Sequence, residues 1–138
     1  MSFLRRKSHT KRRAVAAAEA AFCIPLILIL ASGTLEISRM IFLKERLTVC
    51  AYEGCRSGVK RRSTADQVRA TVNSMLPAFG ITNATVTVTP NNFDALNKLD
   101  PIYVTIQVPY SGAARLYGSA LSQTSMSSTV SMVREFDD

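Results

Sequence analysis

Charge is missing from Ala20 to Leu35, a run of 16 residues, and acid is missing from residues 1–13, which carry Arg5, Arg6, Lys7, Lys11, Arg12 and Arg13. As a helix the charge-free run is roughly 24 Å long, and with Val15 to Ala18 before it and Ile37 to Leu43 after it the segment can cross a ~30 Å hydrocarbon layer. The one-sided basic cluster orients it: Arg5 to Arg13 stay on the cytoplasmic side, and the chain beyond the span is exported. Histidine is nearly absent too. His9 lies in that basic run, so it cannot join an exported serine or aspartate in a triad. No G-x-x-x-x-G-K-[ST] loop occurs, which excludes a P-loop energy source in this chain. Cysteine is scarce. Cys23 falls in the apolar segment, while Cys50 and Cys55, five apart on a predicted helix, point about 140° apart. That spacing disfavours a mutual disulfide and leaves no metal site. Buried small side chains are the plain reading, with a free thiol or an intersubunit bond as the other.

The net charge of +7 is unevenly spread. Residues 1–13 contribute +6, residues 14–62 contribute +3, and residues 63–138, with four basic and six acidic side chains, contribute −2. The basic excess belongs to the segments flanking the span. Nucleic-acid binding, which needs that excess on a folded face, is not indicated. Some 75 residues are left for a globular part, enough for one small domain that needs the long helix or a partner to complete its core.

A cleaved secretory signal would need an A-x-A-like site followed by a loop, but here the helical pattern continues past Glu36. A membrane anchor is the expectation. The position of Glu19 adds to it. A cut after Ala14 would make Val15 the first residue and Glu19 the fifth, which is the type IV prepilin arrangement of basic leader, small residue and fifth-position glutamate.

The run R-A-V-A-A-A-E-A-A, then P-L-I-L-I-L, then G-T-L-E-I-S-R resembles the N-terminal region of the TadE-like pseudopilins. These are pilin-like components of the Tad (tight adherence, Flp pilus) secretion machinery. The likeness covers Arg12, Arg13, Glu19, Pro25, Gly33, Glu36 and Arg39, and continues as A-Y-E-G-C-R with Glu53, Gly54 and Arg56. The family commonly has glycine before the cut, where this chain has Ala14. The resemblance implies a prepilin peptidase acting at Ala14–Val15 and a role for Glu19 in recognition or assembly. It also implies membrane, pilin-like subunits and Tad assembly proteins as partners, with no cofactor and no catalytic residue.

Physically, Glu19 can pair with the new amino group of a neighbouring subunit, since either charge alone is costly in hydrocarbon. The other reading keeps Glu19 at the interface as a boundary marker. Pro25 removes one helical hydrogen bond. Glu36 and Arg39, three apart, can form a solvated pair at the exported end.

The helix is expected to run to about Arg62. Ala51, Gly54, Cys55 and Gly58 form a small-residue face on it, for packing within the chain or against a neighbouring subunit. Thr64-x-x-Gln67 reads as a capping box opening a second helix with Val68, Val72, Met75 and Phe79 on one stripe, closed by Pro77 and Gly80. Thr82 to Thr89 and Ile102 to Val108 alternate as strands, with Pro101 and Pro109 bounding the second. A weaker strand covers Ser128 to Arg134, after a connection from Ser111 to Ser125. The expected fold class is α+β and pilin-like: a cytoplasmic leader at residues 1–14, a transmembrane helix at 15–43, and an extracytoplasmic domain at 44–138 with about three antiparallel strands.

Two functions from different classes fit. One is a TadE-like minor pilin (pseudopilin) in a bacterial cytoplasmic membrane, acting in assembly of an adhesive pilus or its secretion apparatus. The other is an uncleaved single-span binding module that recruits an extracytoplasmic partner. An enzyme is not expected, because no nucleophile, base and acid share a compartment.

Overall fold

The computed structural model describes residues 7–93, 99–109 and 125–134. Helix α1 spans Lys7–Gly58, α2 spans Ala65–Met75, and a 3₁₀ turn comes next at Leu76–Phe79. Strands β1 (Thr85–Thr89), β2 (Pro101–Pro109) and β3 (Ser125–Val133) form one antiparallel sheet in the order β1-β2-β3. The α+β architecture of long apolar helix, second helix and three-stranded sheet is the one expected. By contacts the chain divides into Met1–Ser38 and Arg39–Asp138.

α1 begins at Lys7, inside the stretch expected to be a leader. Lysine, arginine and alanine are strong helix formers, and no glycine or proline interrupts them before Pro25. The helix ends at Gly58, four residues short of the expected Arg62. Arg62 takes a left-handed φ of 61°, Ser63 N–H bonds the Lys60 carbonyl, and the Ser63 hydroxyl donates to the last helical carbonyl, that of Gly58. The turn thus satisfies helix-end groups that further helix would have used.

α2 is capped as its sequence predicts. Thr64 Oγ1 accepts from Gln67 N–H and the Gln67 side chain accepts from Thr64 N–H. Val68 and Val72 are buried, with Met75 and Phe79 packed half-buried on the same stripe. Gly80 ends the 3₁₀ turn in the left-handed conformation, with φ 70°.

The strands differ from expectation at their ends. β1 starts at Thr85 rather than Thr82, because Asn83 adopts a left-handed φ of 61°, which asparagine tolerates and a strand does not. Pro101 and Pro109 are the first and last residues of β2 instead of lying outside it. β3 reaches back to Ser125, three residues before the expected start, since β2 supplies partners as far as Pro109↔Ser125. It closes at Val133, and Arg134 continues the edge through N–H to the Asp100 carbonyl and Leu99 N–H to its own carbonyl. Asp94, and most of the Ser111–Ser125 connection, lie outside the described residues.

The core sits in the second unit. Leu47, Cys50, Ala51 and Cys55 of α1 and Val68 and Val72 of α2 lie in one cluster with Val88 of β1 and Ile102, Val104, Ile106 and Val108 of β2. Phe93 and Ile81 fill its margins. Period-2 alternation puts the apolar residues of β1 and β2, and Met126, Val130 and Met132 of β3, on this side together with the buried Ser128, and leaves Thr, Gln, Tyr, the other Ser residues and Val133 on the other.

Candidate assembly helix and its seat

In the first unit, apolar side chains are exposed around the whole helix. Phe22 is 84% exposed, and Ile24, Leu26, Ile27, Leu28, Ile29, Leu30 and Leu35 are all more than half exposed. A water-facing helix would show one apolar stripe, whereas a helix apolar on every side needs lipid or other helices around it. Its hydroxyls are turned inward. Ser32 Oγ, Thr34 Oγ1 and Ser38 Oγ donate to the carbonyls four residues before them, at 2.7, 2.9 and 3.0 Å. Those donors therefore require no water, as a hydrocarbon setting demands.

The proposed cut site and Glu19 lie on this helix. Ala14, Val15 and Glu19 are exposed, with Glu19 one helical turn beyond Val15. α1 runs through Pro25 unbroken. Gly33 has open space where a Cβ would stand, so it leaves room for another backbone. Glu36 is buried and Arg39 exposed, which corrects the expectation of a fully solvated pair at this point.

In the second unit the same helix is held by specific contacts. The small-residue face packs within the chain. A Cβ on Gly54 would lie 2.5 Å from Val72 Cγ2, and one on Gly58 would lie 3.0 Å from Val68 Cγ2. Between the two glycines, the Cys55 thiol donates to the Val130 carbonyl at 3.2 Å. Thr48 and Ser128 hydroxyls bond at 2.8 Å, Lys44 Nζ donates to the Ser127 carbonyl, and Arg46 reaches the Phe79 carbonyl at 3.4 Å. Glu53 and Arg56 form an exposed i,i+3 pair at 3.5 Å, worth a few tenths of a kcal/mol.

Both core thiols are pushed above their ordinary value of 9.0. Burial disfavours the thiolate of Cys50, and burial outweighs a backbone hydrogen bond at Cys55. They are inert packing groups near neutral pH. Among the described residues, no three His, Cys, Asp or Glu side chains could hold one metal ion. A shallow groove of about 310 Å³ beside Asn73, Leu76, Pro77 and Asn83 contains no titratable group.

Sequence reasoning missed Lys44, Thr48 and Arg134. Arg134 is fully buried and its Nη1 donates to the Phe93 carbonyl at 3.2 Å. Thr48 is polar at a position three before Ala51 and seven before Cys55, near the core-facing stripe. That is the one signal that could have flagged it. Nothing local marks Arg134, whose partner lies 41 residues away.

Residues 14–56 match the sequence model of the family described as TadE-like protein. The match opens at Ala14 and closes at Arg56, so Arg12 and Arg13 lie outside it. It takes in just under a third of the chain. No curated protein and no solved structure matches. TadE-like proteins are a pilus-associated structural family. The match lies wholly within α1, the helix that is long and apolar enough to cross a membrane.

Proposed function

We propose that this chain, TadE-like over residues 14–56, is a minor pilin (pseudopilin) that helps assemble an adhesive Tad/Flp pilus or its secretion apparatus. Residues 1–14 are a cytoplasmic leader, residues 15–43 span the cytoplasmic membrane once, and residues 44–138 form the extracytoplasmic domain. A prepilin peptidase removes the leader between Ala14 and Val15. The carboxylate of Glu19 then meets the new ammonium of a neighbouring subunit, where each charge offsets the other in a medium that penalises both.

One observation carries this reading: α1 is uncharged and exposed on every side over residues 20–31, yet continues as one helix to Gly58. A helix of that kind anchors the domain that follows it and offers side chains in all directions to other helices. Pilin-like subunits and the Tad assembly proteins are the partners that would supply such helices.

The intact mass and first residue of the membrane-extracted chain test the reading, with and without a prepilin peptidase of the same machinery. A chain starting at Val15 only when the peptidase is present is expected. A chain that keeps Arg5 to Arg13 in both conditions leaves the uncleaved binding module instead. With cleavage established, Glu19→Gln is expected to abolish crosslinks between subunits while leaving membrane insertion intact.

A further inference from the structure

The outward face of the sheet carries no charge. Strand pairing sets its side chains in three rows: Thr85, Gln107 and Ser127; Thr87, Thr105 and Thr129; Thr89, Tyr103 and Ser131. Eight of these nine side chains end in a hydroxyl and the ninth in an amide. The residues at the ends of β2 and β3 on this face, Pro101, Pro109, Ser125 and Val133, are uncharged as well. Ten of the 76 residues from 63 to 138 are charged, and a solvated sheet face is where such residues ordinarily go.

Part of this surface is held in place. Thr105 and Thr129 hydroxyls bond at 2.9 Å, and Gln107 Nε2 donates to Ser125 Oγ at 3.0 Å. Ordering these groups in advance lowers what a ligand must spend on fixing them. Tyr103 is 42% exposed, so an aromatic surface stands beside the hydroxyls.

Size and chemistry limit the occupant. With strands ~4.8 Å apart and same-face residues ~6.8 Å apart, the nine side chains span about 10 by 14 Å. Even with generous margins that is a few hundred Å², well under the ~800 Å² that each partner of a stable protein complex buries. An acidic peptide or anionic polymer would find no cation among these nine side chains; the described ammonium beside them, that of Lys44, is bonded to the Ser127 carbonyl. A sugar chain fits on both counts: its hydroxyls donate and accept as Thr and Ser do, and its C–H faces pack on an aromatic ring.

We propose that this face binds a neutral polysaccharide, with the Thr/Ser rows bonding sugar hydroxyls and the Tyr103 ring covering a sugar C–H face. The proposal rests on the extracytoplasmic placement above only for access in the cell. Binding is measured on the purified chain, so a failure of topology and a failure of binding are distinguishable.

The full-length chain, in a detergent without a sugar headgroup, is tested for retention on cellulose, chitin, dextran and mannan, and on anionic alginate. Retention on at least one neutral polymer and not on alginate is expected. Tyr103→Ala should weaken it roughly tenfold, the size of one lost stacking contact. Thr87→Lys should abolish it, and Ala70→Lys, on the exposed side of α2, should retain it with an unchanged melting temperature. No retention on any neutral polymer overturns the proposal, as does retention that Tyr103→Ala and Thr87→Lys leave unchanged. Salt-sensitive retention on alginate overturns its neutrality. A concentration-dependent dimer that Thr87→Lys dissolves, without retention, overturns it by assigning the face to a second copy of the chain.

Discussion

Gly33 and Gly54 lie on one helix, about six turns apart, and differ in what surrounds them. A Cβ added at Gly33 meets nothing within 4 Å, while one added at Gly54 meets Val72 Cγ2 at 2.5 Å. The first lies in a stretch whose apolar side chains face outward, the second in a stretch that forms one wall of the core. A single helix therefore presents apolar side chains all round at one end and is seated in a core at the other. Its first unit is specified by composition, because any sufficiently apolar, uncharged sequence of that length satisfies a bilayer. Its second is specified by shape, because α2 and the sheet approach it within van der Waals distance.

That difference can be broken at several points. Leu47 is fully buried and Leu28 is 61% exposed. Leu47→Ala should destabilise the folded unit by about 2–5 kcal/mol, the cost of lost burial plus a cavity. Leu28→Ala should leave that unit's thermal unfolding where it was. Equal shifts for the two variants would erase the distinction between the regions.

The glycines give the next largest contrast. Gly54→Ala should cost about 1–3 kcal/mol, because Val72 is β-branched on a helix and cannot swing aside. Gly33→Ala should not lower the melting temperature at all, since alanine is the better helix former by roughly 1 kcal/mol. Limited proteolysis of both variants reads the difference.

Thr64→Ala removes half of a reciprocal cap on α2 and should cost about 1 kcal/mol by chemical denaturation. The effect belongs to the second unit, and insertion of α1 into membranes should be unaffected.

The smallest effect is in pH. Cys50 and Cys55 have folded-state values raised above 9.0. Well below pH 9.0 both thiols are protonated whether the chain is folded or not, so they add no pH dependence there. Above it the unfolded chain releases these protons while the folded chain holds them, so stability falls as pH rises. Stability of the double variant Cys50→Ala/Cys55→Ala, measured above pH 9.0, should lose that part of the slope. Retention of the full slope would mean the thiols titrate alike in the folded and unfolded chain.

Much of the architecture was legible before the structure. The capping box at Thr64 and Gln67 is a local pattern with local partners, and it formed as written. The alternation of Ile102, Val104, Ile106 and Val108 is likewise a one-strand signal, and all four are buried. Strand and helix ends were less legible. α1 stops at Gly58 because a turn through Arg62 and Ser63 takes over its last carbonyl, and β3 extends to Ser125 because β2 offers partners there. Both outcomes depend on residues distant in sequence or on left-handed turns that composition does not announce. The ambiguity of the small-residue face was real. Ala51, Gly54, Cys55 and Gly58 have the same spacing whether a helix of this chain or of another packs on them, and only the positions of Val68 and Val72 assign that face to α2.

By itself the sequence determined that a charge-free segment next to a basic cluster is long and apolar enough to cross a membrane, and that Ala14 to Arg56 carries the TadE-like pattern. Those properties depend on local composition and spacing, and no tertiary contact is needed to establish them. The tertiary structure alone decided which face of α1 is seated in the core, that Cys55 and Thr48 bond to β3, and that Arg134 is buried. It also set nine uncharged side chains into three rows on one sheet face. Each of these depends on strand register and on contacts across tens of residues, which the order of residues constrains only once the chain has closed on itself.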